Sequence, residues 1–405
     1  MISTSSEFSD RDSVEQSYRS HVDAGRVDTW KMADMQLVMG EREGARFSDA
    51  FTGKWYVNCH CNGGVFNLGH RNPQVIAAVR DAMDHIDIGN HHLVSMHRAA
   101  AAERLVASTG GRLPGVVFGT TGGEAIDLAI KAARHATARD GIVSVDGAYH
   151  GHTGLALATG EAKFRDPFRH VVPGFMQVPY NDIEAMDHAI GDNTAAVILE
   201  AIPATLGFPM PEPGYLTSVE SLCRSRGAML IIDEVQTGLG RTGTIWYHEQ
   251  ESIEPDIVVT GKGLGGGIYP IAATLMSSEA HRFTSDEPFS HVSTFGGSEL
   301  GCVAASTVLD IVTQPEFLAR VRKVGERIGS GLADGPYEVR RRGMLTGLKF
   351  AEPMGGMKAM KAFFDEGIYS FFAGNDPSVL QFKPSLIISD EDVDWLISTV
   401  RRVLG

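Results

Sequence analysis

One lysine stands in a glycine-rich turn, Thr260-Gly261-Lys262-Gly263-Leu264-Gly265-Gly266-Gly267, directly after the apolar segment Ile257-Val258-Val259. With little bulk around it, its amine can be approached by a ligand. A carboxylate, Asp233, opens the segment Asp233-Glu234-Val235-Gln236-Thr237-Gly238 just after the apolar run that ends at Ile232. That sets it at the carboxyl edge of a strand, where α/β sheets bind ligands. Alone, such an aspartate serves as a helix cap or a metal ligand as readily as a catalytic group. Gly119-Thr120-Thr121-Gly122-Gly123-Glu124-Ala125 joins the strand at Val117-Phe118 to a helix carrying Ile126, Ala129, Ile130 and Ala133. Free backbone N–H groups at such a helix start can hold an anion, although a plain glycine turn with a threonine cap has the same pattern. Tyr149-His150-Gly151-His152 follows the Ile142 strand, again at a carboxyl edge. Tyr149 by itself fits a core aromatic as well as a ligand platform.

An anion cradle, an aromatic face, a strand-end carboxylate and a lysine are what pyridoxal phosphate requires: a phosphate site, a stacking surface, an acid for its pyridine nitrogen and an amine for a covalent bond. Two nucleotide patterns compete for the lysine turn and fail. Gly261, Gly263 and Gly266 have the dinucleotide-fingerprint spacing, but Pro270 interrupts the helix that should follow. The phosphate-loop pattern needs a glycine where Asp256 stands.

The elements that must position these groups alternate. Gly115 to Phe118, Ile142 to Val145, Ala196 to Leu199, Met229 to Ile232 and Ile257 to Val259 are short continuous apolar strands, and a helix from Glu124 to Arg139 separates the first two. This is the pattern of a mostly parallel sheet buried on both faces. A large α/β domain is expected from about Asn58 to about Glu299, and a smaller α+β domain over residues 300–405. The smaller domain has a helical stretch from Val303 to Leu332 broken near Pro315, strands at Gly343 to Phe350 and Leu380 to Phe382, and a closing helix capped at Ser389. Asn72-Pro73 caps a helix running to His85. The first thirty residues, rich in serine with acidic neighbours, have the composition of a poorly ordered segment; residues 1–57 as a whole are assigned to the small domain.

Composition bounds the rest. In 405 residues, 36 Lys plus Arg face 50 Asp plus Glu for a formal net charge of −14, a balance that disfavours a nucleic-acid or anionic-membrane binder. Apolar runs such as Ala228 to Ile232 stop far short of the roughly 20 residues of a membrane helix. The N-terminus has neither a charged n-region nor an apolar stretch, so a cytoplasmic protein with reduced cysteines is expected. Cys59 and Cys61 have no second cysteine pair at zinc-ligand spacing, and no metal is expected.

In motif order and spacing, the chain from about Met35 onward resembles the class III, or ω-type, aminotransferases of fold-type I. The resemblance rests on Asn67-Leu68-Gly69-His70 with Pro73, Thr121 to Ala125, Tyr149-His150-Gly151, Asp233 to Gly238 with Arg241-Thr242-Gly243, Gly261 to Leu264, and Ser293-Thr294-Phe295-Gly296-Gly297. It implies a seven-stranded-type sheet, pyridoxal phosphate as cofactor, small-molecule amine and carbonyl substrates, and a homodimer with shared active sites. It further implies that Lys262 bonds the cofactor covalently, Asp233 pairs with the pyridine nitrogen, Tyr149 stacks on the ring and Val235 packs on its other face. Gln236 reaches the ring hydroxyl, while Thr121, Gly122 and Gly123 hold the phosphate with Thr294 from the partner subunit. His150 belongs to the same cofactor group, and Glu200 lines the substrate side.

Departures from the family pattern bear on the substrate. Members using glutamate and 2-oxoglutarate carry an arginine before the aromatic and proline of the C-terminal strand, paired with a movable glutamate; here Gln381 and Thr205 stand at those places. A further arginine of 4-aminobutyrate-like members is His152. Neither glutamine nor histidine makes the bidentate arginine–carboxylate clamp, although Lys383 can supply a point charge instead. Ser298-Glu299 replaces the usual Asn-Pro. The expectation is therefore an aminotransferase whose amino partners are not the glutamate/2-oxoglutarate pair. A racemase, aminomutase or decarboxylase of the same family needs no such clamp and is the alternative. A non-catalytic binding protein would have no reason to keep Lys262, Asp233 and Tyr149 together.

Overall fold

The computed structural model describes residues 8–405. Seven strands form the central sheet in the spatial order Gly115–Gly119, Ala272–Met276, Ile257–Thr260, Met229–Asp233, Thr194–Glu200, Gly141–Val145 and Phe175–Val178. All neighbours pair in parallel except Ala272–Met276, which runs antiparallel to both strands beside it. The continuous apolar runs follow from burial on both faces. Leu230 and Ile232 enter a core with Val143, Val145 and Leu199 on one side. Ile231, between them, points the other way, into a core with Ala129, Ile130, Ile198 and Val259.

Gly122–Thr137 is the helix packed on that second face. Ala125, Ile126, Leu128, Ala129, Ile130, Ala132 and Ala133 are buried along it, and a fully buried isoleucine such as Ile126 contributes about 1.5–3 kcal/mol. Thr121 caps it by accepting from Glu124 N at 3.2 Å, while Glu124 reaches back to Thr120 N at 2.6 Å. The two bonds together hold the strand-to-helix turn in one conformation.

Two smaller sheets flank this body. Met39–Glu43, Arg46–Asp49 and Trp55–Asn58 form an antiparallel set that Ile368–Tyr369 joins in parallel, so chain segments far apart in sequence share one sheet. The other has the order Tyr337–Arg342, Leu345–Phe350, Asp376–Phe382 and Phe371–Ala373. The helical stretch after the central sheet divides at Pro315 as expected, into Glu299–Val312 and Pro315–Leu332. The closing helix is Asp390–Leu404, capped by Ser389.

The N-terminal segment departs from expectation. Ser3, Ser5 and Ser6 lie outside the described residues, but Arg11–His21 and Ala24–Met32 are helices. The acidic residues that suggested disorder are their caps: Asp10 accepts from Ser13 N and Asp23 from Arg26 N. Arg11 ties the first helix to the body through the Asp49 carboxylate and the Gln36 carbonyl. No helix among the described residues is long and apolar enough to cross a membrane.

Candidate active site

Because the strands are parallel, the carboxyl ends of Gly141–Val145, Thr194–Glu200, Met229–Asp233 and Ile257–Thr260 lie on one edge of the sheet. Glu200 pairs with Asp233 in register, and Asp233 with Val259. The residues just beyond these strands enclose a cavity of about 330 Å³. Thr121, Gly122, Gly123, Tyr149, His150, His152, Glu200, Asp233, Val235, Gln236 and Lys262 all line it, together with Gly151 and Thr153, to which sequence reasoning gave no role.

Asp233 is nearly buried and has both oxygens engaged. Its Oδ2 accepts from His150 Nδ1 at 2.8 Å and its Oδ1 from Val235 N at 3.0 Å. A carboxylate only accepts, so Nδ1 carries the imidazole proton in this pair. His150 Nε2 is buried without a protein partner.

Lys262 sits at φ 43°, a left-handed conformation that a side chain with a Cβ adopts at a cost of about 1–2 kcal/mol. It begins a single turn, Lys262–Gly265, rather than a helix. Burial lowers the proton affinity of its amine, and the negative charges of Asp233 and Glu200 work against that. Against it lies the turn Cys61–Gly64, in which φ is 50° at Cys61, 48° at Asn62, 69° at Gly63 and 106° at Gly64. Asn58 Oδ1 holds the turn by accepting from His60 N at 3.2 Å and Cys61 N at 2.7 Å. A Cβ on Gly63 would lie 3.1 Å from Lys262 Nζ, so the bare glycine leaves the amine room to move. Sequence reasoning missed this turn; the pair Gly63-Gly64 was its only signal.

Glu200 accepts from two backbone amides, Tyr149 N at 2.9 Å and Ala204 N at 3.2 Å. Burial pushes its carboxyl up, with Asp233 adding to the effect and His150 opposing it. By holding Tyr149 N it fixes a half-exposed ring, whose edge meets His152 at a centroid distance of 5.1 Å.

Four of the expected cofactor and substrate residues, Thr205, Gln381, Lys383 and Thr294, do not line the cavity. Thr205 donates its hydroxyl to Gly147 O at 2.6 Å. Gln381 donates from Nε2 to Ala204 O at 2.9 Å and accepts at Oε1 from Lys383, which also donates to Gln236 Oε1 at 2.8 Å. Thr294 is exposed on the loop before Glu299–Val312, away from the cavity of its own chain. Arg241 is buried as a structural clamp, bonding Asn67 Oδ1 and Pro384 O at 2.6 Å and Met344 O at 3.1 Å. Burial pushes its guanidinium down to about 10. Glu299 is a first-turn acid of its helix, where its charge suits the helix dipole.

The cavity fits pyridoxal phosphate. At the start of Gly122–Thr137 the two glycines keep side-chain bulk away from the open amides: a Cβ would come within 3.3 Å of Val235 on Gly122 and 2.8 Å of Thr153 Oγ1 on Gly123. That leaves a helix N-terminus free for an anion. The orphaned His150 Nε2 is a further polar atom that protein atoms leave unpaired, and Lys262 lines the same cavity. Cys59, Cys61, Cys223 and Cys302 are free and buried, and the described residues contain no cluster able to hold a metal.

Residues 29–404 match the family model for class-III aminotransferases. Among curated proteins, an "Uncharacterized aminotransferase" of Archaeoglobus fulgidus is 45% identical over 387 residues, covering 94% of this chain and 91% of its own. Among solved structures, ornithine aminotransferase from Toxoplasma gondii, reported with partial occupancy of pyridoxal phosphate at its active site, superposes with a TM-score of 0.85 at 26% identity over 96% of each chain. A transaminase from the marine bacterium Virgibacillus shares the fold with a TM-score of 0.90 at 21% identity, over 96% of this chain and 98% of that one.

Proposed function

We propose that this chain, which belongs to the class-III aminotransferases and works with pyridoxal phosphate, moves an amino group between an amine or amino acid and a carbonyl compound other than the glutamate/2-oxoglutarate pair. The observation that carries the choice of partners is the engagement of Gln381. Its amide donates to Ala204 O and accepts from Lys383, and a neutral amide held this way cannot replace the bidentate, charged clamp that an arginine makes on a carboxylate. Thr205, where the usual pair would have a movable glutamate, spends its hydroxyl on Gly147 O.

When bound, pyridoxal phosphate supplies an electron sink that takes up the pair left by breaking a C–H bond next to nitrogen. The chain supplies the rest. Asp233, kept as an acceptor by His150 Nδ1–H and Val235 N–H, holds a negative charge at the floor of the cavity, where it favours a protonated pyridine nitrogen. Thr121, Gly122 and Gly123 meet the phosphate at the helix start. Tyr149 would cover one face of the ring and Val235 the other. Lys262 would bond the cofactor and supply the amine that moves a proton at the reacting carbon; burial favours the neutral amine this needs. His152 borders the side open to substrate.

Thr294 completes the phosphate site from a second copy in this reading. Its exposure, with Phe289, Val292 and Phe295 exposed around it, supports a homodimer with shared sites. A half-reaction panel tests the function. The pyridoxamine form, mixed in single turnovers with 2-oxoglutarate, pyruvate and several aldehydes, regains the pyridoxal absorbance more slowly with 2-oxoglutarate than with at least one of the others. Equal or faster recovery with 2-oxoglutarate rejects the partner assignment.

A further inference from the structure

Lys383 is a buried lysine without a counter-ion. Only 1% of it is exposed. Its Nζ donates to Gln236 Oε1 at 2.8 Å and to Gln381 Oε1, and the Phe208 ring centroid lies 5.4 Å away. No carboxylate bonds it among the described residues. Burial, then the charges of Lys262 and Arg241, push its amine well below the ordinary lysine range, while Cys61 and Glu200 pull the other way. An amine buried like this is costly to keep, and the reaction described above leaves it without a task.

Its hydrogen bonds suggest the task. Charged or neutral, the amine has hydrogens enough to donate to both glutamine oxygens. Gln381 cannot turn its amide, because its nitrogen is spent on Ala204 O. Gln236 must likewise turn Oε1 toward Lys383. Its Nε2 then has no protein partner, on a side chain that lines the cavity.

We propose that Lys383 is a positioning residue that locks Gln236 with its amide nitrogen facing the cavity, so that the cofactor's ring oxygen always meets a hydrogen-bond donor and is held as an anion. The assignment rests on the placement of the cofactor given above. A donor on that oxygen competes for the proton that it would share with Lys262 Nζ, the nitrogen that would bond the cofactor. It therefore lowers the pH at which that proton leaves, an event read in the visible band of the bound cofactor.

The test is a double-mutant cycle on the cofactor-loaded protein, titrating that band in wild type, Lys383→Met, Gln236→Leu and the double variant. Lys383→Met raises the midpoint by about one pH unit, a tenfold change in proton affinity. In the Gln236→Leu background the same change adds nothing. Asp233, Arg241, Cys61, Glu200 and His60, the other titratable groups around the two lysines, are present in all four proteins, so their contributions cancel. Equal shifts in both backgrounds, or no shift in either, overturn the proposal. If Lys383→Met fails to fold, Lys383→Arg keeps the donors and holds the wild-type midpoint; a shift as large as that of Gln236→Leu overturns it in that arm. A wild-type protein without any visible band contradicts the cofactor placement itself, and a wrong choice of amino partners changes turnover alone.

Discussion

Replacing Asp233 by asparagine keeps the shape of the side chain and removes its charge. The structure separates the two consequences. Val235 N–H continues to need an acceptor at Oδ1, so the new amide nitrogen faces His150 Nδ1. Two donors cannot bond each other, and His150 must shift its proton to Nε2, which is buried without a partner. An unsatisfied buried N–H costs about 1–3 kcal/mol, a loss that thermal melting of the cofactor-free protein reads. The second consequence is chemical. The charge that favours a protonated pyridine nitrogen is gone, and a buried charge-assisted contact is worth about 2–4 kcal/mol, or about 30- to 1000-fold in rate. Single-turnover amine half-reactions measure it directly. If Asp233→Asn melts lower but reacts at the wild-type rate, Asp233 is structural and the electrostatic argument for it is wrong. If it loses rate without losing stability, the assignment of the His150 proton is wrong instead.

Lys262→Ala binds pyridoxal phosphate only non-covalently and loses turnover by several orders of magnitude; borohydride reduction followed by peptide mapping checks the attachment, and a label on any other lysine contradicts it. Thr294→Ala weakens cofactor retention by about 1–3 kcal/mol, measured by dialysis against the apoprotein. An active, cofactor-loaded monomer in sedimentation ends the shared-site reading. His70 is held neutral, its ring nitrogen bonded to Asn58 Nδ2 at 3.0 Å, and burial lowers its pKa from 6.5 to about 4. Its folded pKa is the depressed one, so its contribution to stability is present above pH 6.5 and is lost as pH falls toward 4. Denaturant unfolding across that range shows a slope that His70→Gln flattens; an unchanged slope refutes the attribution.

Much of the site was legible because its residues follow short apolar strands. Once Met229–Asp233 and Ile257–Thr260 are placed in a parallel sheet, Asp233 and Lys262 must share an edge, and Tyr149 and His150 join them from Gly141–Val145. The N-terminal helices were misjudged because serine and aspartate serve both as signs of disorder and as helix caps, and only the bonds from Arg11 to the body decide between the two. The turn Cys61–Gly64 stayed hidden because Cys61 and Asn62 adopt positive φ that their identities do not demand. Gln381 and Thr205 were recognised as departures from a pattern, and Lys383 as a charge beside them, but what each bonds depends on packing between distant segments. Their partners Ala204 and Gly147 carry no local mark.

The most direct measurement is the return half-reaction of the pyridoxamine form, followed by absorbance over a concentration series of 2-oxoglutarate, pyruvate and non-acidic aldehydes. Loss of one bidentate charged contact, made fully in the transition state, lowers the specificity constant for 2-oxoglutarate by about 30- to 1000-fold, the equivalent of about 2–4 kcal/mol. The account predicts that at least one acceptor without a second carboxylate outruns 2-oxoglutarate by that margin. Efficient reaction with 2-oxoglutarate, undiminished in Lys383→Ala, would contradict it.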